Sequence, residues 1–164
     1  MAAVEFALLA PMMVFVLFAS VDLLDALGAN RRAQNVASSL ADVVARDTEV
    51  SSDEVSGIWA AANVLMFPDD GSNMDLRVTS IMIENANTAR VVWSERHNNG
   101  FVTLSPGSTI TLPSAMMTPG TSIIMADARF AYHPPLGFLF GDGIPLSHTS
   151  YRRSRLVDPI PRVS

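Results

Sequence analysis

The chain has 164 residues, a formal net charge of −5 and 49% apolar residues, which is enough for one domain with or without an anchor. Its eleven basic residues are all arginine and are scattered, so the electrostatic footprint of a nucleic-acid binder is missing. Cysteine is absent, which excludes a disulfide framework and a thiolate metal site.

From Ala2 to Val21 the only ionisable side chain is Glu5. As a helix rising about 1.5 Å per residue, this run spans about 30 Å, the hydrocarbon thickness of a bilayer. No basic residue precedes Arg31, and the apolar run exceeds a signal-peptide core, so a cleaved secretory signal fits poorly. The segment reads as a membrane helix with the lipid bilayer as its partner. An acid near a membrane-helix centre costs about 2.5–3.5 kcal/mol, so Glu5 needs a reason.

Asp22 and Asp25 follow, three apart. Ala33, Val36, Ala37, Leu40 and Val44 then recur at helical spacing, with Arg31, Asn35, Ser38, Ser39 and Asp42 polar. Gly28 weakens the helix by about 1 kcal/mol relative to alanine without ending it. One long helix over 3–47 is expected. Residues 1–28 form its transmembrane part, and 29–164 an α+β domain, with 29–47 as a helical stalk. Pro11 lies inside the helix, leaves the Ala7 carbonyl without its usual partner, and should kink or loosen the first turns.

Ser51-Ser52-Asp53-Glu54 has the spacing of a capping box, so a second helix should start near Ser52. Its stripe of Val55, Ile58, Trp59, Ala62, Leu65 and Met66 should pack on the stalk, and Pro68-Asp69-Asp70-Gly71 should end it. MDLRVTSIMIEN and ARVVWSERH read as two strands around a turn at Asn85–Thr88. TSIIMADARFAYHP alternates, with Ile124, Ala126, Ala128, Phe130 and Tyr132 on one side and Asp127 and Arg129 on the other. LSHTSYRRSRLV is a candidate fourth strand. A turn-rich excursion, SPGSTITLPSAMMTPG, lies between the second and third. The layout predicts an α+β architecture, an antiparallel sheet of about four strands packed on helices and hung from a membrane helix.

Catalytic patterns are missing. His97, His133 and His148 are scattered, and neither an H-E-x-x-H pair, a G-x-S-x-G elbow nor a phosphate-binding glycine loop is present. No catalytic residue, metal or cofactor is expected. Asp69, Asp70 and Asp75 supply carboxylates, but their spacing departs from a calcium loop, so a solvated turn is the better reading. Trp59 and Trp93 are expected in the core. Arg152, Arg153 and Arg155 are either a partner-binding cluster or, the preferred reading, a charged edge that blocks strand pairing. Leu136, Phe138, Leu139 and Phe140, in a loop bounded by glycine and proline, either tuck beneath the helix or form a contact patch for another subunit.

The stretch AAVEFALLAPMMVFVLFASVDLLDAL, followed by RRAQNVASSLADVVAR, resembles the TadE/TadG-like family of pilin-like proteins of tight-adherence pili. TLPSAMMTPGTSIIMADARFAYHPP is similar more loosely. Members carry a basic leader ending in glycine that a prepilin peptidase removes, which leaves a glutamate at the fifth mature position followed by an aromatic. Glu5 and Phe6 hold those positions, so the resemblance implies that Met1 stands at the mature amino terminus; the alternative is that Met1 is the translational start.

It further implies that Glu5 pairs with the amino terminus of a neighbouring subunit. The alternative is that Glu5 only favours its own helix dipole, worth about 0.3–1 kcal/mol. The implied function is a pilin-like structural subunit, not an enzyme. The sizeable domain favours a minor, tip or priming role. Implied partners are other pilin-like subunits through the amino-terminal helix, the inner-membrane assembly machinery, and the prepilin peptidase before maturation. A membrane-tethered assembly factor or periplasmic binding domain is the alternative.

Overall fold

The structure, a computed structural model, describes residues 2–137 and 141–163. Helix α1 runs unbroken from Ala2 to Ala45, through Pro11 and Gly28. The amphipathic stripe behaves as expected: Ala33, Val36, Ala37, Leu40 and Val44 are all buried. Small side chains at Ala26, Ala29, Ala33, Ala37, Ala41 and Ala45 are buried too, and they let the helix lie close to the sheet behind it.

Helix α2, Ser52–Leu65, starts at the capping box. Glu54 N donates to Ser51 Oγ at 3.3 Å, and Ser51 N to Glu54 Oε2 at 2.6 Å, so two orphan donors of the first turn are satisfied reciprocally. The expected stripe is only partly used. Ala62 and Met66 are buried and Val55, Ile58 and Trp59 half-buried, whereas Leu65 is exposed. Trp59 is not interior, because α2 touches α1 along a narrow contact; its ring stacks on His97 with centroids 5.7 Å apart.

Five antiparallel strands follow: β1 (Asp75–Asn85), β2 (Thr88–His97), β3 (Thr109–Ile110), β4 (Ser122–Tyr132) and β5 (Ile144–Arg153), in the order β3-β2-β1-β4-β5. The four long strands match expectation. The fifth is the two-residue β3, contributed by the turn-rich excursion. The β1–β2 turn sits at the expected Asn85–Thr88, where Asn85 Oδ1 accepts from Asn87 N at 2.9 Å, an Asx-type turn.

The alternation read for β4 holds, and the sheet is covered on both faces. On one face Leu76, Val78, Trp93, Ile124, Ala126, Ala128 and Phe130 pack with α1. On the other, Ile81, Ile83, Ala89, Ile123 and Met125 pack under Leu104 and under Ile110, Leu112, Met116 and Met117 of the excursion. Asp127 is therefore buried rather than solvent-facing. It accepts from Arg77 Nε at 2.9 Å and from Thr149 Oγ1 at 2.6 Å. Phe101 lies against both Arg77 and Arg129, 5.1 and 4.6 Å from their guanidinium carbons.

The carboxy-terminal segment, beyond β5, returns across the end of α1. Arg155 N donates to Ala45 O at 3.0 Å, Val50 N to Pro161 O at 3.0 Å, and Val163 N to Val50 O at 2.9 Å. The last carbonyl of α1 thus gains a partner from the far end of the chain.

Candidate functional site

Glu5 lies in the first turn of α1 with its side chain exposed. No hydrogen bond or ion pair reaches it among the described residues. Phe6 is 67% exposed, and Leu8, Leu9, Met12, Met13, Val16 and Leu17 are exposed around the helix. Each such side chain forgoes about 1.5–3 kcal/mol by facing water, so this half of α1 needs an apolar surrounding. Met1 lies outside the described residues. Pro11 is exposed and the helix continues through it.

Burial begins abruptly at Asp22, which is fully covered, while Asp25, three residues on, is exposed. The domain grips α1 from there upward. Arg32 Nε and Nη2 donate to Asp69 Oδ2 at 3.0 and 2.5 Å. His148 Nε2 lies 2.9 Å from Asn30 Oδ1. Tyr132 is buried, and burial, joined by the nearby carboxylates of Asp25, Asp69 and Asp22, pushes its phenol up from the ordinary tyrosine range. At the other end of the contact Arg155 Nη2 donates to Asp42 Oδ1 at 2.7 Å. The helix is clamped to the domain at both ends of their contact.

The three acids of the α2–β1 region have separate tasks. Asp69 pairs with Arg32. Asp70 Oδ1 accepts from Ser72 N at 2.9 Å, and the Ser72 hydroxyl, with this backbone bond second, holds its carboxyl below the usual range. Asp75 Oδ1 accepts from Gly100 N at 2.8 Å and leaves no room there for a Cβ. Among the described residues no group of three potential ligands could hold a metal ion.

Arg152 and Arg153 are exposed on β5, which is an edge strand. With Tyr151, Met116 and Thr118 they line an open pocket of about 230 Å³. Arg155 does not join them; it turns toward Asp42. Leu136 is 52% exposed, while Phe138, Leu139 and Phe140 lie outside the described residues.

The contacts that fasten α1, Arg32–Asp69, His148–Asn30 and Arg155–Asp42, were not legible in the sequence. Each joins residues at least 37 apart, and none belongs to a periodic pattern or motif.

Among the described residues one helix is long and apolar enough to cross a membrane, and it carries an α+β domain directly on its second half. That is the architecture of a helix-anchored, pilin-like protein. Residues 1–42 match the family model described as TadE-like protein. The match covers the exposed half of α1 and most of its buried stripe, and it agrees with the resemblance carried by Glu5, Phe6 and Pro11. The match spans 42 of the 164 residues, and the family it names is a structural one associated with tight-adherence pili. Neither a curated protein nor a solved structure matches the chain.

Proposed function

We propose that the chain is a minor, tip or priming pilin-like subunit of a tight-adherence pilus, and that Glu5, Phe6 and Pro11 are its assembly residues. The observation that carries this reading is the continuity of α1. An exposed apolar half with one acid in its first turn runs without a break into a half clamped to the domain. A tether needs only a flexible linker. A subunit that must set the height and rotation of its domain in a filament needs a rigid one.

In this mechanism the chain first sits in the inner membrane with its domain outside the cytoplasm. Assembly machinery then moves the apolar half of α1 from lipid to the helices of neighbouring pilin-like subunits. Glu5 pairs with a neighbour's charged amino terminus, freed by prepilin peptidase. Removing one partner of such a pair leaves the other buried alone, at about 3–5 kcal/mol, so the acid sets axial register. Arg152 and Arg153 are offered outward on the β5 edge, with Arg155 already engaged by Asp42.

Glu5→Ala should insert in the membrane at least as well as wild type, because a costly acid is gone, yet fail to appear in sheared surface filaments. Glu5→Gln should be intermediate, since it keeps an acceptor and loses the charge assistance that roughly doubles such a bond. Equal filament incorporation by Glu5→Ala and wild type would leave only the helix-dipole role.

A further inference from the structure

Strand β4 and helix α1 run side by side over the same length. At one end Ser154 N donates to Ser122 O at 3.1 Å and Arg155 N to Ala45 O at 3.0 Å, which sets the start of β4 level with the end of α1. At the other end Tyr132 feels the carboxylates of Asp22 and Asp25. The lengths agree: ten steps of strand at ~3.3 Å give about 33 Å, and the helix from Ala45 back to Asp22 gives about 35 Å. Tyr132 and Ile144 close the β4–β5 hairpin. The described residues that continue from them, 133–137 and 141–143, therefore lie at the Asp22 end of the domain, beside the part of α1 whose length matches the hydrocarbon layer.

A second segment reaches nearly the same level. The Arg32 guanidinium lies beside Gly28, with Nη1 3.2 Å from where a Cβ would stand, and it holds Asp69. The α2–β1 turn is thus fixed about one turn of helix above Asp25. Phe67, two residues before Asp69, is 80% exposed, and Leu136 in the β4–β5 loop is 52% exposed. Both are large apolar side chains on the rim of the domain that faces the membrane half of α1. No linker separates that half from the domain, because burial starts at Asp22.

We propose that this rim, Leu136 in the β4–β5 loop and Phe67 in the α2–β1 turn, docks into the interface of the lipid bilayer that α1 spans. The domain then sits on the membrane instead of standing off it. Continuity with the apolar half of α1 selects lipid as the occupant. The exposed acids nearby, Asp25, Asp70 and Asp142, select neutral over anionic headgroups, since an acidic rim gains nothing from a negative surface. The inference rests on α1 spanning a bilayer and does not require that the protein join a filament.

The lack of cysteine makes single-label experiments clean. Full-length Leu136→Cys, Phe67→Cys, Val16→Cys and Glu49→Cys proteins, each carrying an environment-sensitive fluorophore, are reconstituted in phosphatidylcholine vesicles containing lipids brominated near the headgroup end of the acyl chain. Labels at 136 and 67 should be quenched several-fold more than the label at exposed Glu49, which lies beyond the far end of α1. Added phosphatidylglycerol should not increase the effect.

Quenching at Val16 with none at 136 or 67 overturns the docking and leaves the membrane helix intact. Absence of quenching at Val16 as well brings down both. A blue-shifted label at 136 that bromine does not quench means that a second copy covers the rim, which also overturns lipid docking. Quenching that needs phosphatidylglycerol overturns the apolar argument.

Discussion

The indole nitrogen of Trp93 in β2 donates to the carbonyl of Ile160 at 2.8 Å, and the Ile160 side chain has no exposed surface. A residue close to the end of the chain therefore lies in the same interior as the buried stripe of α1. Ile160→Ala should destabilise the protein by about 2–5 kcal/mol, the usual cost of truncating a buried isoleucine. Trp93→Phe should cost about 1–3 kcal/mol by leaving a buried carbonyl unpaired. Chemical denaturation of the full chain in detergent, followed by the strand signal in circular dichroism, measures both. An unchanged midpoint for Ile160→Ala would mean that the tail does not belong to the core.

Asp127 holds Arg77 across the excursion-covered face of the sheet, with the two side chains 7% and 17% exposed. Asp127→Ala leaves the guanidinium without its carboxylate and is expected to cost about 3 kcal/mol, at the low end for a buried pair. Arg77 Nη1 keeps its bond to Val102 O at 2.8 Å, which softens the loss. The double variant Asp127→Ala/Arg77→Met should be more stable than Asp127→Ala alone. A double variant no more stable than the single one would show that the unpaired charge is not the source of the cost.

A fragment starting near Ala29 should fold as a soluble domain, because the stripe from Ala33 to Val44 remains to cover the sheet. A longer fragment starting at Val21 restores the buried Asp22 and Ala26 and should melt higher. Aggregation of the shorter fragment, or loss of its strand signal, would place the division between anchor and domain elsewhere.

The Glu54 carboxyl is held below its usual value of 4.5, first by the backbone bond from Ser51 and then by the Ser51 hydroxyl. A depressed folded-state value means that its contribution is complete above the unfolded value and is lost as pH falls through the lowered one. Glu54→Gln should therefore melt somewhat lower than wild type at pH 7, with the difference shrinking as pH falls from about 5 to about 3, so that the acid limb of the variant is flatter. Parallel acid limbs for the two would show that the capping carboxylate does not contribute.

Pro11 removes one bond from a helix that nevertheless continues through it, and such prolines are tolerated in membrane helices. If the looseness serves extraction from the bilayer, Pro11→Ala should insert normally and appear less often in sheared filaments. Normal incorporation would make the proline incidental.

The elements that the sequence announced are those with a local physical cause. Helical periodicity from Ala33 to Val44 marked the buried stripe, the Ser51–Glu54 spacing marked the start of α2, and Asn85 marked the hairpin turn. Each depends on residues within a turn or two of one another. The apolar run from Ala2 to Val21 declared its need for lipid or neighbouring helices by composition alone, with Glu5 as the one exception.

What tertiary structure decided is what covers what. Asp127 alternates like a solvent-facing residue and is buried, because the segment from 101 to 120, the excursion and the four residues before it, folds over the second face of the sheet. Arg155 looks like part of a basic cluster and instead meets Asp42, more than a hundred residues earlier in the chain. Ile160, in a proline-containing tail without periodicity, fills the interior beneath Trp93. Asp22 and Asp25 look equivalent in sequence, yet only Asp22 is buried, because it shares the face of α1 that carries Ala26, Ala29 and Ala33 against the domain while Asp25 lies off that face. These outcomes follow from long-range packing, in which distant segments compete to bury the same apolar surface, and a local pattern carries no record of which segment wins.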